Sequence, residues 1–351
     1  MHLIHAFKLW HFLLCRRASF QAVLIGFVLG VAAVTHAAGF RELSAEGVQM
    51  GVWYPSDAPT TSQRMGPFDV RVARDAPIRQ GPHEVVLLSH GNGGRHRNHY
   101  LTAQALADAG FVVVAPQHEA DYLVGGRKTA QALDYRYMEL LKALTAVRNA
   151  PHFHGQLASA PVHGVGYSLG GATIMLASGA GFSSKRAERH CRENQYADAE
   201  FCDDPGFIFR IVQSFRHDID LRSTTDPFSN PPLVTGKAVV VAPVYQGIDV
   251  GKSLSMTDVT VIAIDGDTIA KPEFHAKPLF DAVERRVPSQ YFVMQGHHFA
   301  FIAPFPKRVT DHEDIPIAKD PKGFDRSAFL DVINGIIVDA MKKGSKPMNQ
   351  Q

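Results

Sequence analysis

Short, largely apolar, β-branched runs recur along this chain, alternating with segments of helical periodicity. Phe111 to Ala115 (FVVVA) and Ala238 to Ala242 (AVVVA) are apolar throughout, and Val259 to Ile264 (VTVIAI) is nearly so. A strand of that composition must be buried on both faces. Val48 to Tyr54, Glu84 to Ser89, His163 to Tyr167 and Gln290 to Met294 read as further strands. Between them, Tyr100 to Ala109, Gly170 to Ser178 and Phe274 to Arg285 read as helices. Leu133, Tyr137, Leu140, Leu141, Leu144 and Val147 recur at helical spacing, and Asp325 is placed to cap a closing helix that runs to Met341. Alternation of this kind predicts an α/β fold: a mainly parallel central sheet with helices on both faces.

Two stretches fall outside the alternation. Residues 1–38 carry Lys8, Arg16 and Arg17 and no acidic residue, then an apolar run from Ala22 to Val34, then Thr35-His36-Ala37-Ala38. A positive flank, a short apolar core and small residues at its end make a secretory signal peptide, cleaved after Ala37 or Ala38. The alternative is an uncleaved anchor, but spanning a bilayer takes about 20 apolar residues. No stable membrane span is expected after cleavage. Cys15 precedes the apolar run, so it is not a lipid-attachment cysteine. The predicted location is periplasmic or secreted.

The second stretch, 182–235, has no strand-like run. It holds many charges, Cys191, Cys202 and Pro231-Pro232. Phe207, Ile208, Phe209, Ile211 and Val212 are too apolar for a disordered linker. It reads as a partly helical, lid-like insertion within a domain covering 39–345. In an oxidising compartment the two cysteines are expected to pair, for a gain of about 2–3 kcal/mol; the alternative is two free buried thiols.

The net charge of +2 becomes about −1 once the leader is removed. A near-neutral body lacks the basic face of a nucleic-acid binder. The chain contains no repeats, heptads or low-complexity tracts.

Chemistry concentrates in Gly166-Tyr167-Ser168-Leu169-Gly170-Gly171. This G-x-S-x-G follows a strand and opens a helix, the setting of a nucleophile elbow in the α/β-hydrolase fold. A serine hydroxyl is a poor nucleophile unless a base takes its proton. In that fold the acid follows the serine in the chain and the histidine follows the acid. Asp267 and His298 arrive in that order, each just past a predicted strand, where open α/β sheets place their sites. Asp265 competes with Asp267, and His297 with His298. An oxyanion would need backbone donors: Leu169, after the nucleophile, and Asn92, in the glycine-rich loop Ser89-His90-Gly91-Asn92-Gly93-Gly94. The alternative for that loop is an ordinary glycine-rich turn.

The 18 histidines raise the question of a metal. His90, His96 and His99 cluster and His152 and His154 alternate, yet neither group has a metal-binding spacing. No Rossmann fingerprint or Walker motif is present, so no cofactor or metal is expected.

These pieces together resemble the bacterial predicted dienelactone hydrolases, a branch similar to platelet-activating-factor acetylhydrolases. The resemblance runs through almost the whole mature chain. It rests on Val52-Trp53-Tyr54-Pro55, the loop from Ser89 to Gly94, and Gly110-Phe111-Val112-Val113-Val114-Ala115-Pro116-Gln117-His118. It continues with the elbow at Ser168, Asp267, the Gly-x-His-Phe-x-Phe form ending at Phe301, and Gly323-Phe324-Asp325-Arg326. It implies a metal-free hydrolase of small-molecule esters, with Ser168 as nucleophile, Asp267 as acid, His298 as base, and Asn92 and Leu169 at the oxyanion places. Two departures stand out. Dienelactone hydrolases use a cysteine nucleophile where this chain has serine, and Tyr167 stands where His or Trp is usual.

Three functions compete on these residues. The first is a carboxylic ester hydrolase working through an acyl-enzyme. The second is a serine peptidase or amidase using the same three side chains. The third is a non-catalytic binding protein on a hydrolase scaffold, which would have no need of all three.

Overall fold

The apolar runs lie side by side in one ten-stranded sheet. The computed structural model describes residues 37–119, 130–202, 230–251, 254–311 and 316–343. Its strands are β1 (Ala37–Ala45), β2 (Val48–Ser56), β3 (Thr61–Met65), β4 (Phe68–Arg74), β5 (His83–Ser89), β6 (Val112–Pro116), β7 (Leu157–Tyr167), β8 (Gly181–Phe182), β9 (Lys237–Val241), β10 (Ile248–Asp249), β11 (Asp258–Asp265) and β12 (Ser289–Gln295). From β6 through β5, β7, β9 and β11 to β12 every pairing is parallel. On the N-terminal side β6-β2, β2-β1 and β4-β3 are antiparallel and β1-β4 is parallel, so the whole sheet runs in the order β12-β11-β9-β7-β5-β6-β2-β1-β4-β3.

Side chains alternate across the parallel strands, and the two sets enter two separate cores. Val85, Leu87, Val112, Val114, Val240 and Val261 face one core; Val86, Leu88, Val113, Val241, Ile262 and Ile264 face the other. The first core is closed by α2 (Ala130–Asn149), α3 (Leu169–Ala177) and α6 (Ala276–Val283), through Leu140, Ile174 and Leu279 among others. The second is closed by α1 (Tyr100–Asp108) and α7 (Arg326–Lys343), through Leu106 and Ile333. Each fully buried valine on these strands contributes about 1.5–3 kcal/mol, which is why the runs are almost wholly apolar, with buried Thr260 the exception in β11. Asp325 Oδ1 accepts the Ala328 N–H at 3.0 Å and caps α7.

Several elements depart from the sequence reading. Strand β1 takes in Ala37 and Ala38, which that reading placed in the leader; Ala37 pairs with Ser56 and Ala38 with Pro55. Strands β3 and β4 and the two-residue pair β8-β10 were not expected. The last of these places strand structure at the start of the proposed insertion. The described part of that insertion contains α4 (Ser184–Asn194) and α5 (Ala199–Cys202). Residues 203–229, with Phe207 to Val212, lie outside the described residues, as do residues 1–36. Among the described residues no helix is long and apolar enough to cross a membrane.

Candidate active site

Because β5, β7, β11 and β12 are parallel, the residues that follow them all emerge at one edge of the sheet. Chain direction reverses there: β6 lies on one side of β5 and β7 on the other. A crevice opens at such a switch point, and Ser168 sits in it.

Ser168 joins β7 directly to α3. Its φ of 53° lies in the left-handed region, which a non-glycine residue adopts only under strain. Neighbouring backbone permits no side chain around it. A Cβ on Gly170 would lie 2.0 Å from Ser89 O, and one on Gly166 would lie 2.3 Å from Gly170 O. These two glycines let the turn press against the end of β5. The Ser168 N–H is held by Val241 O at 3.0 Å, and Ser168 O accepts from Gly171 and Val244 at 2.9 and 3.1 Å.

Three of the expected side chains meet. Ser168 Oγ is 3.1 Å from His298 Nε2, and His298 Nδ1 is 2.6 Å from Asp267 Oδ2. All three are buried. The other carboxylate oxygen, Asp267 Oδ1, accepts the Ile269 and Ala270 N–H groups, each at 2.8 Å, so the carboxylate cannot rotate away from the imidazole. His298 opens a short 3₁₀ turn, His298–Phe301, anchored by buried Ala300 and Phe301.

The rival residues face elsewhere. Asp265 is the exposed last residue of β11 and accepts from Gln295 Nε2 at 2.8 Å. His297 Nε2 lies 3.0 Å from Asp320 Oδ1. Asn92 and Gly91 line the cavity above Ser168, and Leu169 is buried at the start of α3. A Cβ on Gly91 would lie 3.3 Å from Ser168 Cβ, so the glycine-rich loop rests directly on the elbow.

Tyr167 fills a role that the sequence did not reveal. Its hydroxyl donates to His298 O at 2.7 Å, and its ring packs 5.2 Å from the His298 ring. Burial, then the nearby Asp267 charge, pushes the phenol well above its ordinary value, so it remains a donor. One residue thus bridges the segment carrying the serine and the segment carrying the histidine.

The cavity has a volume of about 560 Å³. Phe68, Phe201, Val244, Ile269, Phe299 and Ile302 give it apolar walls, with Arg95, Arg97 and Glu200 among its polar lining. The Phe201 wall is cross-tied. Cys191 and Cys202 join α4 to α5, their sulfurs at bonding distance and their Cα atoms 5.3 Å apart. Buried Asp198 Oδ2 lies 2.8 Å from His190 Nε2 and 3.1 Å from His275 Nε2. Burial alone would raise the Asp198 carboxyl, but hydrogen bonds from His190 and His275 outweigh it and hold the group below the usual range.

His190, Asp198 and Cys202 present donor atoms within 4.8 Å of one another, a spacing that could suit a metal. As they stand, the cysteine sulfur is bonded to Cys191 and the other two are bonded to each other. The histidines that cluster in sequence are occupied by protein partners: His96 with Gln117, His99 with Phe301 O, and His90 with Gly91 O.

Burial also sets an acid limit on stability. It pushes His99 down to about 4, against a smaller opposing pull from its bond to Phe301 O. Burial, then the Arg136 charge, holds His90 and His118 well below the histidine range. The unfolded chain, where histidine titrates near about 6.5, binds these protons first. The stabilisation is therefore whole above about pH 6.5 and lost as pH falls toward about 4. For His99 alone the loss between pH 7 and pH 5 is about 2 kcal/mol. Melting temperatures should fall over that interval. They should fall less in His99→Asn, whose amide can keep the bond to Phe301 O. Parallel profiles for the two proteins would refute the assignment.

No protein-family model matches this chain, and no curated protein matches it.

Proposed function

We propose that this protein is an exported serine hydrolase of the α/β-hydrolase fold that cleaves carboxylic esters through an acyl-enzyme. The observation that carries the reading is the continuous hydrogen-bonded line from Ser168 Oγ through His298 to Asp267, with the serine on a strained strand-to-helix turn. In this reading Ser168 attacks the ester carbonyl and His298 Nε2 takes its proton. Asp267 fixes the ring and stabilises the imidazolium that forms. The oxyanion draws on the Asn92 and Leu169 N–H groups. His298 then protonates the departing alkoxide, and water, activated by the same imidazole, releases the acid.

The apolar walls of the cavity favour an uncharged ester with apolar substituents. Export is supported by the leader-like N-terminus and by the cysteine pair at bonding distance. The test is direct. A fluorophosphonate probe should add once, on the peptide that carries Ser168, and nitrophenyl butyrate should be hydrolysed. Absence of both adduct and turnover would sink the reading. Faster cleavage of the matching anilide would redirect it to an amidase.

Tyr167→Phe removes one hydroxyl and no packing volume. Its loss frees the carbonyl of His298, so the expected result is a kcat lowered about threefold to tenfold with KM little changed. An unchanged kcat would show that the 3₁₀ turn holds the base without help.

A further inference from the structure

The reaction assigned to Ser168 leaves four buried polar side chains without a task, and all lie beneath the loop 90–94. Ser89 Oγ is 2.9 Å from His118 Nε2, and His118 Nδ1 is 2.8 Å from Glu139 Oε2. Glu139 Oε1 accepts the Glu119 N–H at 3.0 Å. The order hydroxyl, imidazole, carboxylate repeats that of the Ser168 site. Ser89, however, is 0 % exposed and cannot meet a substrate. The fourth group, Arg136 on α2, is also 0 % exposed.

The Ser89–His118–Glu139 chain reaches one carbonyl through the backbone of His118. The His118 backbone N–H donates to His90 Nε2 at 3.2 Å. His90 must therefore carry its proton on Nδ1, which donates to Gly91 O at 2.7 Å. Arg136 Nη2 donates to the same oxygen at 3.1 Å, as does the Gly94 N–H at 3.1 Å. Arg136 Nη1 holds the preceding carbonyl, His90 O, at 2.8 Å. Three donors on Gly91 O fix the plane of the peptide joining Gly91 to Asn92. In a trans peptide the C=O and N–H point in opposite directions. With the carbonyl turned inward to the buried guanidinium, the Asn92 N–H is turned outward. Asn92 lines the cavity, and among the described residues nothing accepts from its N–H.

We propose that Arg136, backed by the Ser89–His118–Glu139 chain, is a positioning device that presets the Asn92 N–H as an oxyanion donor. The proposal rests on the ester-hydrolase reading of Ser168 and assigns a purpose to residues that reading does not use. A donor aimed before the reaction needs no reorganisation when charge develops. The guanidinium suits this because its rigid planar fork presents Nη1 and Nη2 to two successive carbonyls in a fixed geometry, which a lysine ammonium on its flexible stem does not reproduce.

The test compares Arg136→Lys and Ser89→Ala with the wild-type protein. Nitrophenyl butyrate reports kcat and KM. An alkyl trifluoromethyl ketone reports oxyanion binding: the Ser168 Oγ–carbon bond forms, the carbonyl becomes an oxyanion and the serine proton passes to His298. Arg136→Lys should lower kcat by about tenfold to a hundredfold, a part of the loss seen when an oxyanion donor is removed outright. KM should stay within about threefold, and the ketone should bind more weakly by about the factor lost from kcat/KM. Ser89→Ala should shift the same two quantities together, by about threefold to tenfold. A merely structural role would lower the melting temperature while leaving kcat and ketone affinity of the folded protein unchanged, and that result overturns the proposal. If Arg136→Lys does not fold, Ser89→Ala decides on the same comparison. A wild-type protein that neither turns over the ester nor binds the ketone refutes the hydrolase reading and the positioning role with it. An active wild type with unaltered variants refutes the positioning role alone.

Discussion

Ser168→Ala is expected to lower ester turnover by at least about a thousandfold while leaving the fold intact. Loss of activity follows from the serine's place at the head of the line to His298 and Asp267, for among the described residues no other hydroxyl hydrogen-bonds the His298 imidazole. Retention of the fold follows from what the substitution leaves alone. Alanine keeps the Cβ, so the strained φ of 53° is neither relieved nor worsened. The backbone bonds to Val241, Gly171 and Val244 do not involve the hydroxyl. Residual turnover should remain above the uncatalysed rate, because the backbone donors and the apolar cavity survive. The measurement is kcat on nitrophenyl butyrate, with circular dichroism and a melting curve on the same preparation. The fluorophosphonate adduct should vanish together with turnover. A variant that keeps more than about a tenth of wild-type kcat would end the serine mechanism.

How much of this arrangement is legible before folding depends on how local its cause is. Val113, Val240 and Ile262 belong to strands buried on both faces, and continuous apolarity announced them. Strand β4 alternates buried and exposed residues from Phe68 to Val72 and could have been read by its period of two. Strand β1, AAGFRELSA, has weak strand propensity and begins inside small residues that also suit a cleavage site; only its register against β2 makes it a strand. Strand β3 is mostly exposed and polar, so nothing in its own sequence marks it.

The same division holds at the site. Ser168, Asp267 and His298 were readable because the parallel sheet forces the residues after its strands to one edge. The partners of Tyr167, Arg136 and Asp198 were not. Tyr167 reaches His298 across 131 positions, and His275 reaches Asp198 across 77. A hydrogen bond at that separation is a product of the folded geometry, with no local pattern to betray it. His118 fell within a stretch that resembled a family, yet its role needed Ser89 and Glu139 beside it.

His298→Ala and Asp267→Ala are each expected to lose most of kcat, and His297→Ala and Asp265→Ala to lose little. The separation rests on orientation. His298 is buried and touches both Ser168 Oγ and Asp267 Oδ2; its neighbour His297 pairs with Asp320 instead. Asp265 ends β11 in solvent with Gln295 as partner, whereas Asp267, past Gly266, turns inward. Gly266 makes this possible: its φ of +90° folds the chain back, and a Cβ there would lie 2.7 Å from Gly296 O. Within the effective pair the losses should differ. In the proposed mechanism His298 relays a proton in both acylation and deacylation, so its removal should match Ser168→Ala at about a thousandfold or more. Asp267 in that mechanism only orients and stabilises, so its loss should be smaller, about a hundredfold to a thousandfold, and Asp267→Asn should resemble Asp267→Ala because an amide cannot balance the imidazolium charge. All four alanine variants should be assayed on one ester with folding checked by circular dichroism. A dead His297→Ala beside an active His298→Ala would move the base by one residue, and the hydrogen bond between His298 and Ser168 would then have no part in turnover.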